Sequence, residues 1–510
     1  MRYVLKSLFC TLLFYYIGVI AVAQNIEGYV FVDNNKNSIM DSDEKGIKGV
    51  MVSNQKDVVI TDEKGHFKIK LKEEKFIFVT KPEAYQFKLD KYNNPEFYFL
   101  FKTKKTKEQL KYRSSEPITE IPEFLYFPVY NNPGEEEHSC LLIGDPQMKD
   151  DEKLVFYKDG IIPYMATKQV DFYVVLGDIS HNNPEILPKE KQISATLGVP
   201  GYRVFGNHDI NYKAADNKHA AETFKMVYGP DYYSFDFGSF HYIILNNVLY
   251  DGWWKEINAP GRYSGGLSEE QKKWLINDLM LVSSNKTIVL FSHIPFDKIF
   301  VKENSMQTLF KALENHKKIL AVSGHLHYIV AYDYTADDGW EYNANFEGLV
   351  AGAACGAWWS GLLDENNIPF STCPDGSPKG FFQLNVTKDD YNYVFHPVNY
   401  PNDFQFRTYI NKDEICVNWF VGKKTDSVWV YLDNNPIAIK LHNFIGTDSF
   451  VESIYKAHKD MQKTTLVKTA HLWKAKLPEN ISTGYHSVKV FARDSKGILF
   501  KGFKTFYIEK

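Results

Sequence analysis

Five short polar strings, each placed directly after an apolar run, constrain this chain more than any other feature. The apolar runs are CLLI, DFYVVL, YRVF, TIVLF and ILAVS, and the strings that follow them occupy residues 144–147, 177–178, 206–209, 292–293 and 324–327. Continuous apolar runs of this kind are typical of strands that are buried on both faces. Ligand sites in open α/β sheets lie beyond the carboxyl ends of the strands. We therefore expect the carboxylates, imidazoles and amides of these strings to converge as a metal site, and with this many donors as a two-metal site.

Composition narrows the class of protein. A length of 510 residues predicts more than one domain, and 44% hydrophobic with 24% charged residues is typical of a globular protein. The net charge of −4 gives no basic footprint, so we expect no specific nucleic-acid binding. A phosphate-bearing substrate stays compatible with this charge, because bound cations invert the local field.

The first residues resemble an export signal. Arg2 and Lys6 form a basic start, residues 8–20 are apolar, and Ala21-Val-Ala23 supplies small residues for cleavage. An uncleaved anchor helix is the alternative, but the apolar stretch is short for a span of ~20 residues. We therefore predict that residues 1–23 are removed by cleavage after Ala23, and that the mature protein is periplasmic or extracellular. No comparable apolar stretch follows, so we expect no membrane span in the mature chain.

The rest of the chain divides by pattern. Short β-rich runs with turn signals between them predict a small β domain over residues 24–100, and the polar segment 101–137 is interpreted as a linker. Alternating strand and helix patterns over residues 138–384 predict an α/β domain that holds every polar string. Residues 385–510 return to strand composition and predict a terminal β-sandwich.

The strings contain what two-metal phosphoryl chemistry requires. Such chemistry needs hard ligands that hold two cations about 3.5–4 Å apart, with one carboxylate between them. Imidazoles and a neutral amide complete the two shells without an excess of negative charge. The strings supply carboxylates, imidazoles and amides of this kind.

Over roughly residues 138–330 the chain resembles the calcineurin-like metallophosphoesterases, most specifically in Gly206-Asn-His-Asp209 and Gly324-His-Leu-His327. The resemblance implies a two-sheet α/β/β/α sandwich and a metal-dependent phosphoric ester hydrolase. It also implies two Mn, Fe or Zn ions and direct attack of a metal-bound hydroxide on phosphorus. Its motifs imply these ligands by position: Asp178 between the two metals, Asp145 and His327 on the first, and Asn207, His293 and His325 on the second.

Two further residues gain roles from the same resemblance. His208 would not bind metal, but would contact the phosphoryl group and aid departure of the leaving oxygen. Asp209 would orient His208.

One position departs from the commonest pattern, because the first motif reads Asp145-Pro-Gln147 where Asp-x-His is usual. Gln147 would then bind the first metal through a harder and weaker amide ligand, which favours a harder ion such as Mn²⁺. His181, three residues after Asp178, is a candidate compensating ligand. The alternative interpretation of His181 is a polar loop residue or a substrate contact.

Three functions stay open at this point. A monoesterase acting on a small or lipid-linked phosphate ester is slightly favoured over a phosphodiesterase acting on nucleotides or lipid headgroups. The third is a surface binding protein with a retained but inactive metal site, which Gln147 alone favours. The intact motif around the non-ligand His208 argues against it. The sequence does not indicate the oligomeric state.

A second cation site is predicted near the amino terminus. Oxygen-bearing residues recur at the offsets of a calcium loop, although Ser38 replaces the usual glycine; they are Asp33, Asn35, Asn37, Asp41 and Glu44. The alternative is a polar hairpin loop rich in turn-forming residues.

Two pairs near the last motif are also ambiguous. Trp358 and Trp359 lie in a Gly-rich loop and form either an aromatic rim for the leaving group or a contact with the terminal domain. Cys355 and Cys373 flank an irregular loop and could form a disulfide in an oxidising compartment.

Overall fold

The computed structural model describes residues 25–106, 110–388, 390–411, 413–458 and 465–509. The predicted export signal lies outside these residues. Within the described ranges, none of the helices is long and apolar enough to cross a membrane.

The amino-terminal region is a β domain made of two four-stranded sheets, with strand orders β4-β1-β8-β6 and β3-β2-β5-β7. Its strands are β1 (Asn25–Val32), β2 (Met51–Ser53), β3 (Val58–Ile60), β4 (His66–Lys70), β5 (Lys75–Val79), β6 (Tyr85–Phe87), β7 (Tyr98–Phe101) and β8 (Phe124–Asn131). Alternating burial along β1 and β4 places one face of their sheet in the core.

Strand β8 differs from the sequence-based prediction, which assigned residues 101–137 to a linker. It pairs in parallel with β1, from Glu27 opposite Phe124 to Val32 opposite Val129. The amino-terminal domain therefore includes residues far beyond position 100, and β8 leads directly into the first strand of the next domain.

The central domain is built around a five-stranded sheet, β11-β10-β9-β22-β23, and a six-stranded sheet, β12-β13-β18-β19-β21-β20. Its strands are β9 (His138–Ile143), β10 (Phe172–Val175), β11 (Gly201–Arg203), β12 (Tyr233–Phe237), β13 (Phe240–Ile244), β14 (Val248–Tyr250), β15 (Trp253–Trp254), β16 (Ala259–Pro260), β17 (Tyr263–Gly265), β18 (Thr287–Phe291), β19 (Lys318–Ser323), β20 (Ile329–Asp333), β21 (Asn345–Ala351), β22 (Gly380–Thr387) and β23 (Asp390–Pro397). The small strands form two further ribbons, β14-β17 and β15-β16.

The helices of this domain follow the strands of the two large sheets. They are α1 (Asp151–Gly160), α2 (Ile162–Met165), α3 (Leu187–Ser194), α4 (Asn217–Ala220), α5 (Glu222–Tyr228), α6 (Glu269–Leu279) and α7 (Glu303–Leu313), with short 3-10 turns at Pro184–Ile186, Ala195–Leu197, Asn207–Asp209 and Ala336–Asp338. Ser268 caps α6 by accepting the Gln271 amide, and Trp274 and Leu275 bury one face of that helix.

The two large sheets pack face to face through aromatic side chains. Phe172 of β10 lies 4.7 Å from Phe237 and 5.4 Å from Tyr242, measured between ring centroids. All four residues of β10 and all five of β18 are buried, as the continuous apolar runs predict. The α/β/β/α fold predicted from the motifs is thus confirmed.

The carboxyl-terminal region is a β-sandwich of two four-stranded sheets, β24-β25-β29-β28 and β27-β26-β30-β31. Its elements are β24 (Phe406–Asn411), β25 (Glu414–Trp419), β26 (Ser427–Leu432), β27 (Ile439–Lys440), β28 (His442–Gly446), α8 (Ser449–Ala457), β29 (Thr469–Lys476), β30 (Gly484–Arg493) and β31 (Leu499–Ile508). Trp419 and Trp473 from one sheet and Val428 and Val490 from the other share its core. The preceding strand β23 pairs along its length with β22, so the central sheet continues past the predicted boundary at residue 384.

Candidate metal centre

The ends of five strands bring the predicted ligands together. Strands β9, β10 and β11 run parallel in one sheet, and β18 and β19 run parallel in the other. Each strand is followed directly by one polar string, so all five strings meet where the carboxyl ends of the two sheets face each other. Among the predicted ligands, His325 is half-buried; the buried ones are Asp145, Gln147, Asp178, Asn207, His293 and His327.

The backbone of these loops is unusual in a consistent way. Five of the seven predicted ligands have a left-handed φ: Asp145 (44°), Gln147 (49°), Asp178 (47°), His325 (74°) and His327 (60°). Non-glycine residues rarely adopt this conformation, and it concentrates at functional sites, where the surrounding structure holds it in place. The loops are therefore shaped to direct side chains inward at the expense of local backbone preference.

Asp178 lies at the centre of the cluster. Its Oδ1 accepts the backbone amide of His208 at 2.7 Å and lies 3.2 Å from His293 Nε2. Its Oδ2 accepts Gln147 Nε2 at 2.8 Å. Burial alone would raise the pKa of Asp178, but the nearby His293 and His208 outweigh it and hold the pKa below its usual range. A charged carboxylate with both oxygens facing donors is suited to lie between two cations.

His293, Asn207 and His325 form one side of the cluster. The His293 ring donates from Nδ1 to the Leu176 carbonyl at 2.9 Å, which turns Nε2 inward, 2.9 Å from Asn207 Oδ1 and 3.2 Å from His325 Nδ1. Ligand atoms of Asp178, His293 and His325 lie within 4.8 Å of one another.

The protonation of these rings fits a cation at the same point. Burial lowers the pKa of His293, but the Asp178 carboxylate more than compensates and the pKa rises to about 9. Burial lowers the pKa of His325 to about 3, so that ring is neutral at pH 7. Metals bind neutral imidazole, so a metal ion can take the place of the His293 proton. The same ion can accept the lone pair of the neutral His325 ring.

Asp145 and His327 form the other side. His327 donates from Nδ1 to the Gly356 carbonyl at 3.1 Å, and its Nε2 lies 3.6 Å from Asp145 Oδ1. Burial lowers the pKa of His327 to about 4, so its inward nitrogen carries a lone pair at neutral pH. Burial also raises the pKa of Asp145 well above its usual value. A cation at this position would supply the positive counter-charge that stabilises the ionised Asp145 carboxylate.

Gln147 lies between this side and His181. Its amide nitrogen faces Asp178 at 2.8 Å and His327 Nε2 at 3.4 Å, and its Oε1 lies 2.9 Å from His181 Nδ1. The amide can bind a metal only through Oε1, so binding requires a 180° turn that exchanges the two atoms. His181 contacts Gln147 through its Nδ1 and lies outside the close group of Asp178, His293 and His325.

His208 is oriented by a residue that the sequence did not point to. Its Nδ1 lies 2.6 Å from Asn182 Oδ1, which can only accept, and its Nε2 lies 4.0 Å from Asp178 Oδ2. The Tyr212 hydroxyl also donates toward Asn182 and lies 2.9 Å from the Asn207 carbonyl. Burial lowers the pKa of His208. The contacts of Asn182 and Tyr212 were not recognisable in the sequence, although Asn182 follows Asp178 by four residues.

Asp209 acts on the loops and not on the His208 ring. Its carboxylate accepts the backbone amides of Ile179 at 3.2 Å, Ser180 at 2.7 Å and Gly206 at 3.1 Å. Asp209 therefore affects the position of His208 only indirectly, through the backbone of the loops, and not by orienting the ring as expected. Asp209 fastens the loop after β10 to the loop after β11, and Asn182 holds the imidazole.

The two tryptophans have different surroundings. Trp358 stacks on His327 with a centroid separation of 4.4 Å and meets His181 edge-on at 4.9 Å. Trp359 is buried, and its Nε1 donates to the Pro146 carbonyl at 2.8 Å. A cavity of about 410 Å³ opens beside them, and its lining residues are Gln147, Lys149, Lys153, His181, Trp358 and Trp359. Trp358 thus borders the site, and the buried Trp359 anchors the loop that carries both residues.

The remaining predictions concern the cysteines and the calcium loop. Cys355 and Cys373 are free and buried, so the predicted disulfide is not formed, and Cys355 Sγ lies 3.7 Å from His327 Nδ1. In the amino-terminal loop, Asp33 Oδ2 accepts the Ser38 amide at 2.8 Å. The Asn35 and Asn37 amide groups both donate to Asp41 Oδ2 at 2.8 Å. These bonds order the loop, and calcium binding stays a prediction.

Comparison with known proteins agrees with this geometry. A family model described as calcineurin-like phosphoesterase matches residues 139–328. Models for the N terminal and the C terminal of calcineurin-like phosphoesterase match residues 33–116 and 349–500. The three matches follow one another along the chain and include every predicted ligand.

Curated relatives match a smaller part. The chain is 28% identical to serine/threonine-protein phosphatase CPPED1 of Pongo abelii over 134 residues, which is 24% of this chain and 40% of that protein. The Mus musculus and Homo sapiens proteins of the same name are each 28% identical over 135 residues, with the same coverage. The chain thus spans about two fifths of the length of these relatives.

Among solved structures, the purple acid phosphatase PPD1 from yellow lupin (Lupinus luteus) seeds aligns with a TM-score of 0.35 and 12% identity. The alignment covers 73% of this chain and 66% of that one.

Proposed function

We propose that this chain, which belongs to the calcineurin-like phosphoesterase family, hydrolyses a phosphoric ester at the centre around Asp178. One observation carries the proposal. Seven candidate donors from five strand ends converge on one point, and His208 lies beside them with its Nε2 directed inward, 4.0 Å from Asp178 Oδ2. A purely structural metal site has no need for such a histidine.

The residues fit two metal ions, with Asp178 between them. Asp145, Gln147 and His327 would hold one ion, and Asn207, His293 and His325 the other. When bound, such ions supply Lewis-acid charge and a water of lowered pKa. The donor set of carboxylate, amide and imidazole suits Mn, Fe or Zn.

The protein side of the reaction is positioning and proton transfer. A water oxygen forms a bond to phosphorus, and the bond from phosphorus to the leaving oxygen breaks. In its doubly protonated form, His208 donates a proton from Nε2 to that leaving oxygen, while Asn182 accepts from its Nδ1 at 2.6 Å. The attacking water gives up one proton, so the number of protons balances. The products are a phosphate, or a phosphate monoester if the substrate is a diester, and an alcohol.

We favour a monoester as substrate, with a diester of a nucleotide or lipid headgroup as the alternative. His208 serves either reaction, and none of the described contacts distinguishes them. The test uses purified protein stripped of metal and reloaded with Mn²⁺, Zn²⁺ or Fe. Hydrolysis of 4-nitrophenyl phosphate is then compared with hydrolysis of bis(4-nitrophenyl) phosphate. Metal-dependent turnover supports the enzyme, and the preferred ester identifies the class.

A binding protein with an inactive metal site is the second candidate, and the Gln147 amide is the observation that favours it. Substitution Gln147→His restores the commoner ligand. If the wild type binds two metals and hydrolyses neither ester while the variant does hydrolyse one, Gln147 has silenced the site. Comparable turnover by both proteins excludes this candidate.

We also propose that the chain is exported, on the basis of the basic and apolar pattern of residues 1–23. Amino-terminal sequencing of the protein from fractionated cells tests it. A mature terminus near residue 24 in the periplasmic or extracellular fraction is expected, and an intact terminus in the cytoplasm contradicts it.

Calcium binding by the loop at residues 33–44 is proposed on its ligand spacing. Calcium added to the metal-stripped chain should raise the Tm of the amino-terminal domain. A variant with both Asp33→Asn and Asp41→Asn should not respond. An equal shift in both proteins would show that calcium binds elsewhere.

A further inference from the structure

We propose that the leaving group of the substrate is a flat, negatively charged group that occupies the cavity beside Trp358. The inference rests on the proposed function and names the class of ester that the centre accepts. Three features carry it: the place of the cavity relative to His208, the aromatic wall, and the charge of the lining.

The cavity lies on the leaving-group side of the centre. Its lining includes His181 and Trp358, and both rings contact His208, at centroid separations of 4.9 Å and 5.4 Å. The leaving oxygen must lie near His208 to receive its proton. The group attached to that oxygen therefore extends past His208 into the space between His181 and Trp358.

The wall favours a flat group. Trp358 is held in place because one face of its indole stacks on His327 at 4.4 Å, with 26° between the ring planes. The next residue, Trp359, is buried and anchors the same loop through its bond to the Pro146 carbonyl. A fixed indole offers apolar and π contact area to a ring, at little further entropic cost. The volume of about 410 Å³ is suited to one or two rings.

The lining has one sign of charge. Among the described residues, Lys149 and Lys153 are the lysines that line the cavity, and no carboxylate lines it. Lys153 forms an ion pair with the exposed Glu152, and its Nζ lies 4.8 Å from the Phe156 ring centroid. Lys149 is exposed, and among the described residues no carboxylate forms an ion pair with it. An anionic substituent on the leaving group would find its partner there.

The chemistry of the group is a planar ring that carries a carboxylate or a second phosphate. Such a ring could belong to a small metabolite or to a nucleotide. A phosphorylated serine on a neutral peptide lacks both the ring and the charge, and fits this cavity less well.

Two nearly isosteric esters test the charge. The measurement is kcat/KM for 4-carboxyphenyl phosphate and for 4-carbamoylphenyl phosphate, with the metal content of each sample counted. Wild type should prefer the carboxylate ester, and Lys149→Met should reduce that preference by about fivefold, as expected for a charge pair near the surface. Lys158→Met, on helix α1 but outside the cavity lining and paired with Asp159, should keep the wild-type ratio. An unchanged ratio in Lys149→Met overturns the inference.

A binding measurement separates failure of this inference from failure of the proposed function. Calorimetry measures the Kd of 4-hydroxybenzoate and of 4-hydroxybenzamide for the metal-loaded protein. Tighter binding of the carboxylate that depends on Lys149 supports the cavity even if neither ester is hydrolysed. Equal binding of both compounds to wild type overturns it even if both esters are hydrolysed.

The aromatic wall has its own readout. Trp358→Leu should lower kcat/KM for both aryl esters relative to glycerol 2-phosphate, which has no ring. Because Trp358 stacks on His327, only samples with the wild-type number of bound metals are compared. An unchanged ratio of aryl to glycerol ester shows that no ring occupies this wall.

Discussion

Among the described side chains, Asn182 is the one that accepts a hydrogen bond from the His208 ring. Asn182 Oδ1 accepts from Nδ1 at 2.6 Å, which directs the other nitrogen toward Asp178. Asn182→Ala removes that acceptor without touching a predicted ligand, so kcat should fall by about 10–100-fold with unchanged metal content. Asn182→Asp keeps an acceptor and should recover part of the activity. Steady-state kinetics on metal-counted samples measures both variants.

Asp209→Ala provides the contrasting case. Asp209 holds three backbone amides of two ligand-bearing loops, so its loss should lower metal affinity and Tm together. If Asn182→Ala lowers metal content as Asp209→Ala does, Asn182 is structural and its assignment as a positioning residue is wrong.

The sequence predicted individual ligands better than their neighbours. A motif such as Gly206-Asn-His-Asp209 names its ligands because the loop is local, and one short string determines which atoms point inward. Asn182 and Trp358 come from other loops, and their contacts with His208 depend on how those loops pack together. Among the described contacts, Tyr212 reaches the His208 ring only through Asn182. No single string records that packing. The same limit explains why Asp209 was expected to orient His208.

The hairpin of β12 and β13 is tied to helix α6 by a buried, charged histidine. His241 Nδ1 lies 2.6 Å from Asp236 and its Nε2 lies 2.8 Å from Asp278. Burial lowers the pKa of His241, but Asp278 and Asp236 outweigh it and raise the pKa to about 9.

This link makes stability depend on pH. Because the folded pKa exceeds the unfolded value of about 6.5, the stabilisation is complete below pH 6.5 and is lost as pH rises through about 9. The loss is of order 3 kcal/mol at 1.36 kcal/mol per pKa unit. Unfolding of wild type and His241→Asn is compared between pH 6 and 9.5. The free energy of unfolding of wild type should exceed that of His241→Asn at pH 6, and this excess should disappear by pH 9.5. A difference that stays constant with pH would contradict the charged state assigned to His241.

Strand β8 shows why an element can be missed. Its sequence contains Pro128, which argues against a strand inside a sheet, and its parallel partner β1 lies about a hundred residues earlier in the chain. Pairing with β6 stops at Val129, so Pro128 has a strand partner only on the β1 side. The hairpin of β12 and β13 pairs strands that adjoin in sequence and turns at Gly238-Ser239, so a local turn signal is enough to indicate it. Long-range parallel pairing leaves no such signal in the sequence.

The carboxyl-terminal domain is joined to the metal centre by buried polar contacts. Asp375 Oδ2 accepts the Ile329 amide at 2.9 Å, two residues after His327, and lies 3.2 Å from His471 Nε2 in β29. His471 Nδ1 in turn lies 2.7 Å from Asn418 Oδ1 of β25. The sandwich therefore supports the loop that carries the last two ligands.

Asp375→Ala should loosen this junction. It leaves His471 and the Ile329 amide without their partner, at a cost of about 3–5 kcal/mol for a buried group of this kind. Calorimetry should show a Tm lowered by several degrees, together with weaker metal binding. The exposed Asp403→Ala serves as control and should change neither. A lowered Tm with normal metal affinity would show that the sandwich stabilises the fold without supporting the site.

The division into three domains was predictable because composition changes between them, and the order of the polar strings predicted the central fold. The boundaries were less predictable. Strands β22 and β23 complete the five-stranded sheet: β22 pairs with β9, from Phe382 opposite Leu142 to Val386 opposite His138, and β23 pairs with the far edge of β22. A strand that joins a sheet by pairing with a strand more than two hundred residues earlier in the sequence has the same local pattern as a strand of the next domain.

The central claim is that the chain hydrolyses a phosphoric ester with two metal ions held around Asp178 and with His208 as the proton donor to the leaving oxygen. The most direct test counts metal ions per chain and measures turnover in the same samples of wild type, Asp178→Ala and His208→Ala. We expect two ions and turnover in wild type, fewer ions and no turnover in Asp178→Ala, and two ions without turnover in His208→Ala. Full activity of His208→Ala, or activity of Asp178→Ala without bound metal, would contradict the account.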